Sequence, residues 1–167
     1  MRLFGAIVLF FFFSFLGIFA GEREKKRLCE SEAFLEFFEY IKNQVEFFRT
    51  PTKVIYRSFS SSVLESCGFL PALRSHENDE VYCDVWKCAF GSAAKNLHLN
   101  EKQRGLVLDF GECIGKSQGE IQKASFERYI AEMNGEIAKE KTESEKNVKL
   151  YRTLGIAAGA FAAILAI

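Results

Sequence analysis

The chain has 167 residues, and its 22 basic and 22 acidic side chains give a formal net charge of zero. Nearly all of these charges lie between residues 22 and 152, and no long basic stripe is present, which argues against a nucleic-acid ligand. The composition divides the chain into two apolar ends, residues 1–21 and 150–167, and a charged domain between them, residues 22–149.

The first apolar segment, residues 3–20, contains no charged side chain. As a helix it covers about 27 Å, close to the thickness of a bilayer core. A cleaved signal peptide is the alternative, although Ile18 stands where a smaller residue is preferred before a cut after Ala20. We expect a retained transmembrane helix with the domain that follows it in the cytoplasm, because that side carries the basic flank Arg23, Lys25, Lys26 and Arg27.

The second apolar segment, residues 154–167, follows Lys149 and Arg152. Its 14 residues cover about 21 Å as a helix, which is short for a membrane span. It spans if Lys149, Tyr151 and Arg152 act as interfacial anchors, and an in-plane helix is the alternative. Both termini are then expected outside the cell.

Three small residues recur every four positions in the second segment, at Gly155, Gly159 and Ala163. This spacing places them on one helix face, where another helix can approach closely. We therefore predict a membrane-helix packing role for these residues, although glycine and alanine are also common in such segments.

Residues 23–49 are predicted to form the first helix of the domain. Its apolar stripe has spacings of four, three, four and three, which is typical of a packed helix face. The stripe consists of Phe34, Phe38, Ile41, Val45 and Phe48.

Thr50 and Pro51 then indicate a helix restart, since threonine caps helices and proline is tolerated at the first helical position. A single second helix is expected to end before Gly68 and to pack against the first as an antiparallel hairpin. Its apolar residues are Val54, Ile55, Phe59, Val63 and Leu64.

Residues 71–79 are predicted to be a loop, after which Asp79 caps a third helix. We expect this third helix to pack through one face, with Trp86 helping to close the core. The face consists of Val81, Val85 and Cys88.

Asn100 and Gln103 have the spacing of a capping box that opens a fourth helix. Ser117 and Glu120 repeat this pattern before a final helix, which is predicted to continue into the second apolar segment. The expected core residues of these two helices are Leu106, Val107, Phe110, Cys113, Ile114, Ile121, Phe126, Ile130, Met133 and Ile137. The predicted fold is thus all-α, an antiparallel helical bundle between two terminal membrane helices.

Neither the cysteines nor the histidines show the spacing of a known site. Five cysteines at irregular intervals are a poor disulfide framework, and we expect them to be small buried residues in a reducing compartment. His76 and His98 are each isolated in sequence and are interpreted as ordinary polar residues. No catalytic constellation, metal site or cofactor motif is found, so we do not expect an enzyme.

The last third of the chain resembles the stage III sporulation protein AB family. Phe110-Gly111, Ile114-Gly115, Ser117 and Gln122 match that family's F-G-x-x-[LI]-G-x-[ST]-x-x-x-x-Q pattern. The carboxyl end is also similar, in Glu145-Lys146-Asn147, Leu150-Tyr151-Arg152 and Leu154-Gly155. Gln118 departs from the family, which often has aspartate there, and the phenylalanine-rich first helix is unusual.

The resemblance implies a platform or adaptor protein of a secretion-like complex in the mother-cell membrane of sporulating bacteria. The family's soluble domain is similar to that of the platform protein of type II secretion and type IV pilus systems. The implied partners are the bilayer, other membrane subunits and a cytoplasmic ATPase, stage III sporulation protein AA. Phe110, Gly111, Gly115 and Gln122 are the candidate partner interface. An exported, anchored helical protein with a cleaved leader is the alternative.

Overall fold

The structure is a computed structural model, which describes residues 2–48, 50–75, 82–114 and 120–165. Every regular element among these residues is an α-helix, so the all-α prediction is confirmed. In chain order the helices are α1 (Arg2–Phe48), α2 (Thr52–Ser58), α3 (Ser62–Ser66), α4 (Phe69–Ser75), α5 (Tyr82–Ala93), α6 (Glu101–Cys113) and α7 (Glu120–Leu165).

The described residues form two compact units. One comprises Arg27–Ala138, and the other combines the residues before Arg27 with those after Ala138. Within the part of the chain that the structure describes, no helix is both long and apolar enough to cross a membrane. Most side chains of residues 3–20, and those of Gly155 and Ala163, lie outside the described part of the chain.

Ion pairs establish how the long helices of the Arg27–Ala138 unit are aligned. Lys42 of α1 pairs with Glu127 of α7 at 3.1 Å, and Glu46 pairs with Lys123 at 2.6 Å. A step of four residues forward along α1, from Lys42 to Glu46, moves the ion-pair partner four residues back along α7, from Glu127 to Lys123. This part of α1 therefore runs antiparallel to α7. The hydrogen bond from Lys123 to the Glu46 carboxylate raises the pKa of that lysine.

Helix α6 is antiparallel to α7 and parallel to α1. Lys102 pairs with Glu136 at 2.7 Å, and the rings of Phe110 and Phe126 lie 4.9 Å apart. The end of α1, the end of α6 and the start of α7 therefore lie at one end of this unit, which we call the turn end and define as residues 46–48, 113–114 and 120–123.

Most of the predicted α1 stripe is correct. Phe34, Phe38 and Ile41 are fully buried, and Val45 is partly buried. The burial predicted for Phe48 is wrong, because its side chain is 70% exposed. The α1–α7 alignment places it level with Ile121 in the first turn of α7, so no further turn of α7 covers it.

The predicted single second helix is wrong, since α2 and α3 are separate helices with Phe59 between them. Residues 58–62 contain four serines, whose hydroxyls compete for backbone hydrogen bonds and disfavour a helix interior. Ile55, Phe59 and Leu64 are nevertheless buried as predicted. Val54 is exposed, contrary to the prediction.

Residues 71–75 were predicted as loop, but they belong to α4. Pro71 lies in the first turn of this helix, where its missing N–H costs no intrahelical hydrogen bond. Phe69, Leu70 and Leu73 are fully buried. His76, Asp79 and Val81 lie outside the described residues, as does the predicted cap at Ser117.

Corrections are also needed for the later helices. Cys88 is exposed, and so is Cys29, so burial is confirmed among the described cysteines for Cys67 but not for these two. Ile121 is 71% exposed, because it lies five residues before Phe126 and hence about 140° around the helix from the core face. Beyond Ile137, the mostly charged part of α7 is packed on one side, since Glu140 and Ser144 are buried.

The capping box that opens α6 is confirmed. The Asn100 side chain accepts from the Gln103 backbone N–H at 2.8 Å, and the Gln103 side chain accepts from the Asn100 N–H at 2.9 Å. Gln103 is fully buried, so these bonds also satisfy a polar group inside the core.

Replacing Asn100 by alanine should lower the free energy of unfolding by about 1 kcal/mol, because the Gln103 backbone N–H loses its partner. Urea unfolding followed by circular dichroism measures this. The matched control is Asn134→Ala, at an exposed position inside α7, which should not destabilise. An equal response of both variants would contradict the capping role.

Candidate functional site

Trp86 of α5 lies against Gly111 of α6 at the centre of the buried core. Its indole Nε1 donates to the Val107 carbonyl at 2.9 Å, and both residues are fully buried. A Cβ added to Gly111 would overlap the indole ring of Trp86. Only glycine therefore allows the ring to lie flat enough on α6 for this hydrogen bond to form.

Several aromatic rings lie around the Trp86 indole. The ring of Phe37 stacks on the indole at 5.7 Å between centroids, and that of Phe69 meets it edge-on at 5.2 Å. On the other side Phe110 lies 6.1 Å from the indole and stacks on Phe38 at 3.8 Å. Helices α1, α4, α5 and α6 thus meet in one aromatic cluster.

The candidate interface residues have different places in this structure. Phe110 and Gly111 are buried, so they support the turn end from within and present no surface. Gln122 is partly exposed, and its Nε2 donates to the Cys113 carbonyl at 3.4 Å, which links the start of α7 to the last residue of α6. Gly115 lies outside the described residues.

The surface around the turn end carries apolar side chains that sequence reasoning placed elsewhere or missed. Four large apolar residues of the Arg27–Ala138 unit are exposed in the described part of the chain. They are Phe47 at 69%, Phe48 at 70%, Val54 at 47% and Ile121 at 71%. Phe47, Phe48 and Ile121 belong to the turn end, and Val54 follows Phe48 by six residues. Exposed apolar residues concentrated in one part of a domain make that part a candidate interaction surface.

A second feature is a buried carboxylate on α1. Glu30 is 6% exposed, and its two oxygens accept from the backbone N–H of His98 at 2.6 Å and contact its ring Nδ1 at 2.8 Å. The connection between α5 and α6 is thereby attached to α1. His98, interpreted from sequence as an ordinary polar residue, has this structural role.

The remaining predicted residues lie in the other compact unit. Gly159 is buried and Lys149 is exposed, while the side chains of Tyr151 and Arg152 are outside the described part. Their membrane roles stay predictions. No group of three potential metal ligands occurs within the described residues.

A family model described as stage III sporulation protein AB matches residues 2–167 of the chain. The chain belongs to the stage III sporulation protein AB family. This confirms the resemblance over almost the full length and implies a role in stage III of sporulation. No curated protein and no solved structure shows significant similarity to it.

The structure explains why the second residue of the family's F-G pair is a glycine in this chain. Gly111 is the residue on which the Trp86 indole packs, and Phe110 beside it joins the aromatic cluster. Phe37 and Tyr129, which sequence reasoning missed as core residues, are buried in the same unit. Their spacings from Phe34 and Phe126, three residues each, were a usable signal.

Gly111→Ala should lower the free energy of unfolding by about 1–3 kcal/mol, because the added methyl group displaces the indole. Gly105→Ala in the same helix is the matched control, since nothing lies near its Cβ position. It should raise stability by about 0.5–1 kcal/mol. Trp86 is the only tryptophan in the sequence, so its fluorescence during urea unfolding measures both effects. Equal stability of the two variants would contradict the packing role.

Proposed function

We propose that this protein is a platform or adaptor subunit of a secretion-like sporulation complex in the mother-cell membrane. Its terminal segments anchor it, with both termini outside and the central domain in the cytoplasm. The turn end docks the ATPase of the same system, stage III sporulation protein AA. Other membrane subunits of the complex are further partners, and Gly155, Gly159 and Ala163 pack a terminal helix against another helix.

Membrane anchoring rests on the composition of the ends and on the side chains described there. Three phenylalanines of α1, at positions 12, 15 and 19, are each more than half exposed. Leu150, Leu154, Ile156 and Phe161 of α7 are exposed as well. Apolar side chains at this density are costly in water and favourable in a lipid environment.

The observation that carries the docking role is the position of the exposed apolar residues Phe47, Phe48 and Ile121. They lie at the turn end. The Phe110-Gly111 pair of the family pattern is buried in the same unit. The helices that carry them, α1 and α7, are joined through the stacking of Phe38 and Phe126 on Phe110. A partner that covers the exposed residues removes their apolar area from water.

Docking is tested by co-purification of the ATPase with the full-length, detergent-solubilised protein. Phe47→Ser with Phe48→Ser should reduce the recovered ATPase by about tenfold or more, because the apolar contact is lost. Stability should change little, since both side chains are already exposed. Ser92→Ala on the exposed face of α5 is the control. Full recovery with the double variant would exclude the turn end as the docking surface.

Orientation is tested with a membrane-impermeant maleimide on intact and permeabilised cells. Cys29 and Cys88 are exposed and should react only after permeabilisation. Cys67 should stay unlabelled in the folded protein, because burial raises the pKa of its thiol and limits access. Labelling of Cys29 or Cys88 in intact cells would place the domain outside and favour the exported alternative.

A further inference from the structure

One exposed face of α1 carries phenylalanines first and cations after them. Phe15 and Phe19 are 69% and 63% exposed, and Arg23 and Lys26 are exposed as well. The steps between these residues are four, four and three, which places all of them on one side of the helix. We call Phe15, Phe19, Arg23 and Lys26 the α1 stripe.

Helix α7 repeats this arrangement in the opposite chain direction. An exposed cation is followed by exposed apolar side chains at steps of four, four and seven, again on one side of the helix. We call these residues the α7 stripe, and they are Lys146, Leu150, Leu154 and Phe161. In both helices the cations lie along the chain between the apolar residues and the Arg27–Ala138 unit.

The segments that carry the cations have a positive net charge. Residues 22–27 contain four basic and two acidic side chains, which gives +2, although the exposed Glu22 offsets part of this charge on the α1 stripe itself. Residues 146–167 contain three basic side chains and no acidic one, which gives +3. Both stripes therefore suit a ligand that joins an apolar part to an anionic part.

We infer that the α1 and α7 stripes bind anionic phospholipid. Their apolar side chains lie among the acyl chains, and their cations lie at the phosphate groups. The inference rests on the proposed membrane anchoring and specifies the class of lipid. Lysine and arginine beside a membrane attract anionic lipids by about 1 kcal/mol each, or about fivefold in binding.

The spacing along each helix fits the layers of a lipid leaflet. At about 1.5 Å per residue, Arg23 and Lys26 follow Phe19 by about 6 and 10 Å, and Lys146 precedes Leu150 by about 6 Å. The headgroup layer outside the hydrocarbon core is about 5–8 Å thick on each side of a bilayer. Long basic side chains also extend toward that layer. The cations therefore reach the phosphates when the apolar residues are in hydrocarbon.

A leaflet fits the two stripes better than an acidic protein segment does. It presents hydrocarbon next to anionic groups to every helix that enters it, so one leaflet serves α1 and α7 independently. A protein partner would have to present the same order of apolar and anionic groups twice.

The test is native mass spectrometry of the full-length protein in neutral detergent, with phosphatidylglycerol and phosphatidylcholine of equal acyl chains at equal concentration. The wild-type protein should retain phosphatidylglycerol about tenfold or more over phosphatidylcholine. Arg23→Gln with Lys26→Gln should lower this preference about threefold or more, and so should Lys146→Gln with Lys149→Gln. Glutamine is chosen because its helix propensity is close to that of the residues it replaces.

Lys53→Gln with Lys95→Gln is the matched control. It removes the same charge at exposed positions of the Arg27–Ala138 unit and should leave the preference unchanged. The inference is overturned if either stripe variant keeps the full preference, or if the control loses as much. Equal binding of the two lipids by the wild-type protein also overturns it and leaves the cations to an acidic protein partner.

A competitor separates lipid binding from simple phosphate binding. Glycerol 3-phosphate has the anionic group without acyl chains, so at the concentration of the lipid it should not displace phosphatidylglycerol. Displacement at that concentration would show a phosphate site in which the apolar residues have no part, and would overturn the inference.

Membrane anchoring is measured separately, by alkaline carbonate extraction of membranes that contain the wild-type protein. Retention in the membrane supports the proposed anchoring. Release contradicts the anchoring, while the lipid preference, which is measured in detergent, still decides the inference. The two proposals can therefore fail independently.

Discussion

The contact between the Trp86 indole and the bare backbone at Gly111 is the constraint on which the core depends. A tryptophan ring can lie this close to a helix backbone only where no side chain intervenes, and its N–H needs a partner once water is excluded. Gly111 meets the first requirement and the Val107 carbonyl meets the second. With the indole in place, Phe37 and Phe69 pack on one side of it and Phe110 on the other. The turn end is therefore supported by a core that reaches from α1 to α6.

Charged residues contribute more to the alignment of the helices around this core than to the free energy of folding. Lys42, Lys102 and Lys123 form partly exposed pairs, and such pairs contribute little free energy each. Their combined effect is on alignment, because each pair favours one register of two long helices over a shift by one turn. The buried carboxylate of Glu30 differs, since one of its oxygens accepts from the His98 backbone N–H and the other contacts the His98 ring.

Local patterns predicted much of this domain, and tertiary contacts account for the failures. The capping box at Asn100 and the stripe through Phe34, Phe38 and Ile41 depend on nearby residues, and both are correct. Phe48 has plausible core spacing, but burial also needs a neighbouring helix, which no spacing reveals, whereas Ile121 lies off the core face of α7. The prediction of a loop over residues 71–79 misses the helix through Pro71, although the first turn of a helix tolerates proline. Of the candidate interface, the sequence located the turn but not the exposed phenylalanines beside it.

Most of the contacts that complete α1 join residues far apart in the chain. Lys42 meets Glu127, which is 85 residues later, and Glu30 meets His98, which is 68 residues later. During synthesis the phenylalanine-rich face of α1 therefore emerges from the ribosome long before α6 and α7 exist to cover it. An uncovered face of this kind is prone to aggregation. The order of synthesis thus leaves part of this face exposed on the nascent chain until α6 and α7 have been made.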